Sequence, residues 1–371
     1  MRVLMTSTSY PSNIADWRGI FIRNLVEALA RRPDLKLALW APPGDCKGDV
    51  QRISLPFEDR YLAELMRQGG IAHMLRTHPG KGLLTATRLL RGLGMAYRRT
   101  KIDVYHANWL QSAIPLPRNG RPLLVTVLGS DMQLLRIPLV RTLLKRAFRG
   151  RSVVICPNAE WMVEPLQAVF GQYARIVAVP FGIEPRWFAI RRAPAPQDDA
   201  SDWLVVSRIT RGKLGSLVEW GEPLFNGSRR RLHLFGPMQE TVELPAWIIQ
   251  HGATTPEVLC AEWFPRATGL ITLSQHAEGR PQVMLEAMAS GLPIIASRLP
   301  AHENLIDETT GRLVGDPDQF ARVVEELEQP DLNLALGIHA RDRAKSIAGT
   351  WDDCAERFEA LYRQLLQESG S

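Results

Sequence analysis

The sequence is poor in cysteine and has no long hydrophobic run. Cys46, Cys156, Cys260 and Cys354 are its 4 cysteines in 371 residues. That is too few for a disulfide scaffold, and no two form a CxxC pair. They read as ordinary thiols of a cytoplasmic protein. No apolar stretch approaches the ~18–20 residues that a membrane-spanning helix needs. The apolar stretch after Met1 is too short for a signal peptide. Common site motifs are missing too. No GxGxxG follows a predicted strand, since Gly92-Leu-Gly94 has Tyr97 where a third glycine would stand. There is no GxxxxGK[ST] loop and no GxSxG turn. His302-Glu303 opens like HExxH, but Ile306 takes the place of the second histidine, so zinc is unsupported. Asp316-Pro-Asp318 has the form of a DxD metal motif; after Gly315 and before a helical run it reads as an N-cap and turn. No metal is expected.

What is present is ordinary globular material, with 45% apolar and 23% charged residues. The length predicts two or more domains. Lys and Arg number 45 against 39 Asp and Glu, a net charge of +6. The positive excess is local. Residues 81–101 and 134–151 each hold six basic residues and no acid, so the rest of the chain is net negative. In the second stretch Leu135, Leu139, Leu143 and Phe148 recur near helical spacing, with Arg141, Lys145, Arg146 and Arg149 between them. Such a helix is either a solvated face or a surface for anionic lipid headgroups. No aromatic-interleaved basic platform points to nucleic acid.

Short apolar runs alternate with helical patterns. Strands are predicted at 2–6, 35–40, 102–106, 123–128, 152–156 and 174–179. Helices lie between them at 19–31, 61–75, 82–98, 134–148 and 158–170. Residues 191–200 carry prolines, small residues and charges without an apolar period, and read as a linker. The alternation then restarts, with strands at 203–207, 231–235, 269–273, 293–296 and 312–314. Helices are predicted at 214–225, 256–263, 281–289 and 318–328. A last helix begins at Trp351, where Cys354, Phe358, Leu361 and Leu365 follow at steps of three and four. Alternating strands and helices mean βαβ units and parallel sheets, here in two α/β halves joined near 180–200.

The richest stretch runs from Glu278 to Ala296. Pro281 suits the first turn of a helix, Gly291 closes it, and Glu286 lies on it. A helix start offers free N–H groups and partial positive charge to a diphosphate. Carboxylates beside it either cap the helix or accept bonds from sugar and ribose hydroxyls.

Glu278-x7-Glu286, followed by Ala287-Met-Ala-Ser-Gly-Leu-Pro-Ile-Ile-Ala296, resembles the donor-site motif of retaining glycosyltransferases of family 4, in the form common among polysaccharide and lipid-linked glycan transferases. Further matches run in order along nearly the whole chain. The segments 6–12 and 16–22 resemble the family's first loop, with Gly19 as the glycine near the donor phosphates. His106-Ala-Asn-Trp109 resembles a strand-end segment, and residues 125–131 resemble the strand ending in His-Gly-Ser-Asp. Residues 179–184 resemble the entry to the second domain. Arg208 and Lys213 match an R-x4-K pair that holds the diphosphate, and residues 310–314 match a turn.

The resemblance implies a GT-B fold: two Rossmann-like parallel-sheet domains facing across a cleft. It implies an acceptor domain at 1–180, a nucleotide-sugar domain at 181–350, and a C-terminal helix, 351–371, that packs back on the first domain. It implies transfer of a sugar from a nucleoside-diphosphate sugar to a hydroxyl acceptor, a glycan or lipid-linked glycan, without metal or cofactor. Glu278, Arg208 and Lys213 would be the catalytic groups. Gly19, Leu128, Gly129, Gly236, Gly279, Gln282, Val283 and Glu286 would join them around the donor, with Glu286 on the ribose. Base contacts would be backbone ones near Gly236 and His251-Gly252. His106, Trp109 and Asp131 would face the acceptor. The expected location is the cytoplasm, with a peripheral place on the inner face of the membrane through 81–101 and 134–151. One departure stands out. The family's histidine before Gly-Ser-Asp is Leu128 here, which loses a hydrogen bond to a sugar 6-hydroxyl and predicts a donor lacking that group. The competing reading is a catalytically weak scaffold subunit of a glycan assembly complex.

Overall fold

The computed structural model describes residues 1–371 except 14, 15, 17, 194–199, 277 and 371, together with the side chains of 72, 76 and 370. The chain divides into a unit of residues 1–182 and 351–371 and a unit of residues 183–350. Most of the predicted linker at 191–200, and Trp17 in the first-loop segment, lie outside the described residues.

The first unit is built on seven strands: β1 (Arg2–Thr6), β2 (Lys36–Trp40), β3 (Val50–Arg52), β4 (Val104–Asn108), β5 (Leu123–Val127), β6 (Val153–Pro157) and β7 (Arg175–Ile176). Their order is β3-β2-β1-β4-β5-β6-β7, and neighbours pair in parallel. Parallel strands are covered on both faces and read as continuous apolar runs. Strand alternation divides the core accordingly. Leu4, Tyr105, Val125 and Ile155 face one layer; Val3, Met5, Leu124 and Val154 face the other. The second layer is closed by the helices Ile20–Ala30 and Trp351–Gly370, with Leu25, Leu29, Phe358 and Tyr362 buried in it. The C-terminal helix therefore returns to the first unit, through the apolar face its spacing predicts. Arg31–Asp352 at 2.5 Å and Arg363–Asp34 at 2.9 Å fasten its rim.

The second unit has six strands: β8 (Asp202–Val206), β9 (Arg231–Phe235), β10 (Ile248–Gly252), β11 (Gly269–Thr272), β12 (Ile294–Ser297) and β13 (Gly311–Val314). They run in the order β10-β9-β8-β11-β12-β13, again parallel throughout. The helix Gln282–Ser290 is packed under the sheet through Met284, Leu285 and Met288.

Several predicted elements shift. The helix expected over 61–75 is two, Pro56–Arg67 and Gly70–Thr77, because Gly69 and Gly70 both take positive φ. The helix expected from 134 starts at Pro138, after a 3-10 segment from Ser130 to Arg136. Pro281 is the N-cap rather than the first helical residue, so Glu286 lies about one turn into the helix. Asp316 does cap its helix, accepting a bond from the Gln319 N–H at 2.7 Å.

Candidate functional site

In the second unit the strand order turns back between β8 and β11, because β9 and β10 lie on one side and β12 and β13 on the other. Loops leaving the carboxyl ends of two such strands diverge and open a crevice, the usual ligand position in an open α/β sheet. The β8 loop carries Arg208 and Lys213; the β11 loop carries Glu278. Two of them meet: Lys213 Nζ donates to Glu278 Oε1, with side chains only 13% and 16% exposed. Thr210 caps the short turn holding Lys213, accepting from its N–H at 3.2 Å. The Gly212 carbonyl accepts the Gln275 N–H at 2.8 Å, which ties the two loops together.

Two glycines permit this closeness. A Cβ on Gly215 would lie 1.9 Å from the Leu273 carbonyl, and one on Gly236 would lie 1.8 Å from the Ser207 carbonyl. Both have positive φ. Gly236 thus sets the end of β9 against the residue before Arg208. Arg208 is half-buried and donates to Gln239 Oε1 at 3.2 Å. Gln282 and Val283, half-buried, open the helix that follows Glu278 and the buried Gly279. Two cations, a carboxylate and a helix N-terminus are therefore gathered at one sheet edge.

Glu286 stands apart from this pair and accepts no hydrogen bond among the described residues. Burial, with the like charge of Glu184 second, pushes its carboxyl up to about 8, and Arg186 opposes them. Arg186 is itself held by Glu184 at 2.6 Å and by Glu257. This surrounding trio is not legible in the sequence: Glu184 and Arg186 share one short segment, Glu257 lies on another about seventy residues on, and no spacing rule links them.

His302 was also missed, having drawn notice only as a failed zinc motif. Its side chain is fully buried. Nδ1 lies 2.8 Å from the Ser297 carbonyl, so it is the protonated nitrogen. Nε2 is buried without a partner among the described residues. Burial lowers its pKa, and Glu278 and Lys213 both act on it electrostatically. Ser297 Oγ, in turn, donates to the Ser274 carbonyl at 2.5 Å, on the loop that leads to Glu278.

In the first unit the order turns back between β1 and β4. Gly19 is the left-handed N-cap of the helix after β1. Trp109 follows β4 with φ 67, the one non-glycine residue with positive φ among those described. Strain of this kind gathers at functional sites. Its half-buried ring packs edge-on to Phe21 at 6.4 Å. The Leu128-Gly129 turn leaves β5, both residues half-buried. Two expected acceptor contacts are corrected. His106 is fully buried, with Nδ1 2.6 Å from Tyr362 Oη and Nε2 2.6 Å from Thr126 Oγ1. Burial lowers its pKa to about 3. It ties two strands to the C-terminal helix and has no free nitrogen for a ligand. Asp131 is buried too, and its carboxylate accepts the N–H groups of Leu110, Leu128 and Gly129, each at 3.1 Å. It fixes both turns rather than meeting an acceptor.

Two Rossmann-like parallel-sheet units of this kind define the GT-B fold. Solved structures with it align along nearly the whole chain. Sucrose-phosphate synthase from Thermosynechococcus elongatus superposes with a TM-score of 0.72 at 17% identity, covering 99% of this chain and 100% of that one. The chain described as trehalose-6-phosphate from E. coli bound with UDP-2-fluoro glucose gives 0.69 at 13%, covering 98% and 99%. Residues 218–329 match the family described as glycosyl transferases group 1. D-inositol 3-phosphate glycosyltransferase of Streptomyces coelicolor is 32% identical over 111 residues, which is 29% of this chain and 24% of that protein. The similarity thus spans about a quarter of the length of the curated relatives.

The Glu286 carboxyl gives a test of the site's electrostatics. Its folded pKa of about 8 lies above the ordinary 4.5. The folded state therefore binds the extra proton between those values, and stability from this group is lost as pH rises through about 8. Glu286→Gln is expected to stabilise the ligand-free protein at pH 8 and to change it little at pH 4.5. Equal melting temperatures of the two proteins at pH 8 would count against this electrostatic account.

Proposed function

We propose that the protein is a retaining, metal-independent glycosyltransferase that moves a sugar from a nucleoside-diphosphate sugar to a hydroxyl acceptor, a glycan or lipid-linked glycan of the cell surface. The observation that carries the proposal is the Lys213–Glu278 pair at the β8/β11 switch point, with Arg208 on the same β8 loop as Lys213. The family match over residues 218–329 and the likeness to a structure described as bound with UDP-2-fluoro glucose support the same chemistry.

On this reading Arg208 and Lys213 take the diphosphate, Arg as a fork and Lys as a point charge. The N–H groups at Gln282 and Val283 add the helix field. Negative charge grows on the diphosphate as its bond to the sugar's anomeric carbon breaks, and preorganised cations stabilise that change most. The acceptor oxygen forms its new bond on the same face, and its proton passes to the departing phosphate. Glu278 holds sugar hydroxyls and Glu286 those of the ribose. Gly236 admits backbone contacts to the base. In the first unit Gly19 and the Leu128-Gly129 turn serve the donor, and Trp109 serves the acceptor.

The direct test is a thermal-shift panel with UDP, GDP, ADP and TDP. A nucleotide at ~100 times its dissociation constant stabilises the fold by ~2.7 kcal/mol. One nucleotide is expected to do so, and Arg208→Ala/Lys213→Ala to abolish the effect. No shift with any nucleotide would favour the scaffold reading instead.

Leu128 at the end of β5 supports a donor that lacks a 6-hydroxyl, such as a pentose or 6-deoxyhexose. Turnover should be higher with xylose, rhamnose or fucose donors than with glucose, galactose or mannose donors. It should survive EDTA and give product with the donor's anomeric configuration by NMR. A strong preference for glucose, galactose or mannose donors would refute the Leu128 argument.

We also propose a peripheral place on the cytoplasmic membrane face. Among the described residues no helix is long and apolar enough to cross a membrane. Leu83, Leu84 and Leu139 are nonetheless 64%, 73% and 68% exposed, on helices rich in Lys and Arg. Binding to anionic vesicles should occur at low salt, fade as salt screens it, and weaken in Leu83→Glu/Leu84→Glu. Vesicles left unbound at low salt would rule it out.

A further inference from the structure

The basic stretch at 134–151 does more in the structure than present one face to solvent. Its end forms a half-open pocket of about 870 Å³, lined by Arg118, Thr142, Lys145, Arg146, Arg149 and Arg151, with Gly120 and Gly150. Arg118 and Gly120 lie in the loop before β5, and Gly150 and Arg151 lie before β6. The cavity is therefore at the amino ends of these strands. Gly19, Trp109 and the Leu128 turn follow carboxyl ends, at the opposite edge of the same sheet.

Five of the eight lining residues are cations and none is acidic. No carboxylate pairs with any of the five among the described residues. Among the described residues Arg151 bonds to backbone, through the carbonyls of Arg121 and Pro117. The carboxyl end of the helix Pro138–Phe148 supplies a built-in negative element of about half a charge. Capping that helix accounts for one or two cations near its last turn. It does not account for Arg118 and Arg151, brought in from two other loops. The cations are also held in place. Lys145 Nζ and Arg149 Cζ lie 5.5 and 5.7 Å from the centre of the Tyr173 ring. A hydrogen bond from Arg149, with the charges of Arg149 and Lys145 behind it, holds the Tyr173 phenol below its ordinary range.

We propose that this cavity is a binding site for a phosphoryl anion, the phosphate or diphosphate end of a ligand that is free in solution or carried on a lipid headgroup. Arginine forks match phosphate oxygens two at a time, and Lys145 adds a point charge. The volume falls in the range of ligand pockets, about 300–1,000 Å³, so it also admits whatever the phosphoryl group is attached to. The site stands independently of the glycosyl-transfer reading, because it uses no residue of the Arg208, Lys213 and Glu278 group.

The test is calorimetric titration of the full chain with pyrophosphate. It is done in an Arg208→Ala/Lys213→Ala background, so that the other cation pair does not contribute. Saturable binding is expected, weakened roughly tenfold or more by adding Arg146→Ala/Arg149→Ala. Adding Arg136→Ala/Arg141→Ala removes the same charge from the same stretch outside the cavity and is expected to leave binding unchanged. A second arm uses phosphatidylcholine vesicles doped with phosphatidic acid. Binding in the solution arm, or in the vesicle arm alone, identifies the source of the anion, provided that the cavity variant loses it. If both charge-removing pairs weaken binding equally, or if neither probe binds, the proposal is overturned. Should the cavity variant fail to fold by circular dichroism, Arg118→Ala, on a loop, takes its place.

Discussion

A parallel sheet sends every carboxyl strand end to one edge, and the functional reading of this protein depends on that constraint. Neither sheet carries its chemistry in its strands, whose central members are largely apolar and buried on both faces. The chemistry sits in the loops that follow them, and the loops gather because the strands agree in direction. At the one place in each sheet where the order turns back, neighbouring loops part. In the second unit that place is between β8 and β11. Lys213, which shares the β8 loop with Arg208, meets Glu278 there from a segment 65 residues further on. Gly215 and Gly236 then act through what they lack: a methyl group on either would strike a carbonyl of a neighbouring loop.

The same constraint explains which parts of the fold were legible in the sequence. Strands such as Arg2–Thr6 and Val153–Pro157 stand out because two-sided burial demands continuous apolar residues. The C-terminal helix stands out because Cys354, Phe358, Leu361 and Leu365 mark a single face. The helix Pro330–Ile347 carries no such signal. Its buried residues are Asn333, Leu336, Gly337, Ala340 and Ala344, which recur at helical spacing yet carry little apolar bulk. Small residues are needed there because a Cβ on Gly337 would lie 2.2 Å from the Gly291 carbonyl. Close packing erased the hydrophobic signal that pattern reading uses. β3 has only three residues, and four of the five residues of β10 are exposed, so neither offers a buried run.

The site residues divide along a similar line. Linear motifs located Arg208, Lys213, Glu278 and Glu286, but a motif does not say which way a side chain faces. His106 and Asp131 lie in motif-like segments, and both turn inward. Each is buried with its polar atoms taken up by the protein, as buried polar groups must be. Their work is indirect: Asp131 holds the Leu110 and Leu128-Gly129 turns in fixed relation, and His106 anchors the C-terminal helix. His302 is the converse case. No motif points to it, yet it is buried in the electrostatic field of the Lys213–Glu278 pair with one ring nitrogen unpartnered among the described residues.

That pair also bears on how a donor would be admitted. Lys213 and Glu278 are mostly shielded from water, and an unpaired charge in such a place is costly. Without ligand each neutralises the other, so the crevice is stable when empty. On the proposed reading an arriving diphosphate offers Lys213 a more highly charged partner. Glu278 would otherwise be left as a lone half-buried carboxylate, and sugar hydroxyls are the donors that satisfy it. A nucleoside diphosphate without its sugar would take the cation and strand the carboxylate; the complete donor satisfies both. Discrimination between substrate and product then follows from one ion pair that must be replaced on both sides, and it needs no moving part beyond the two side chains.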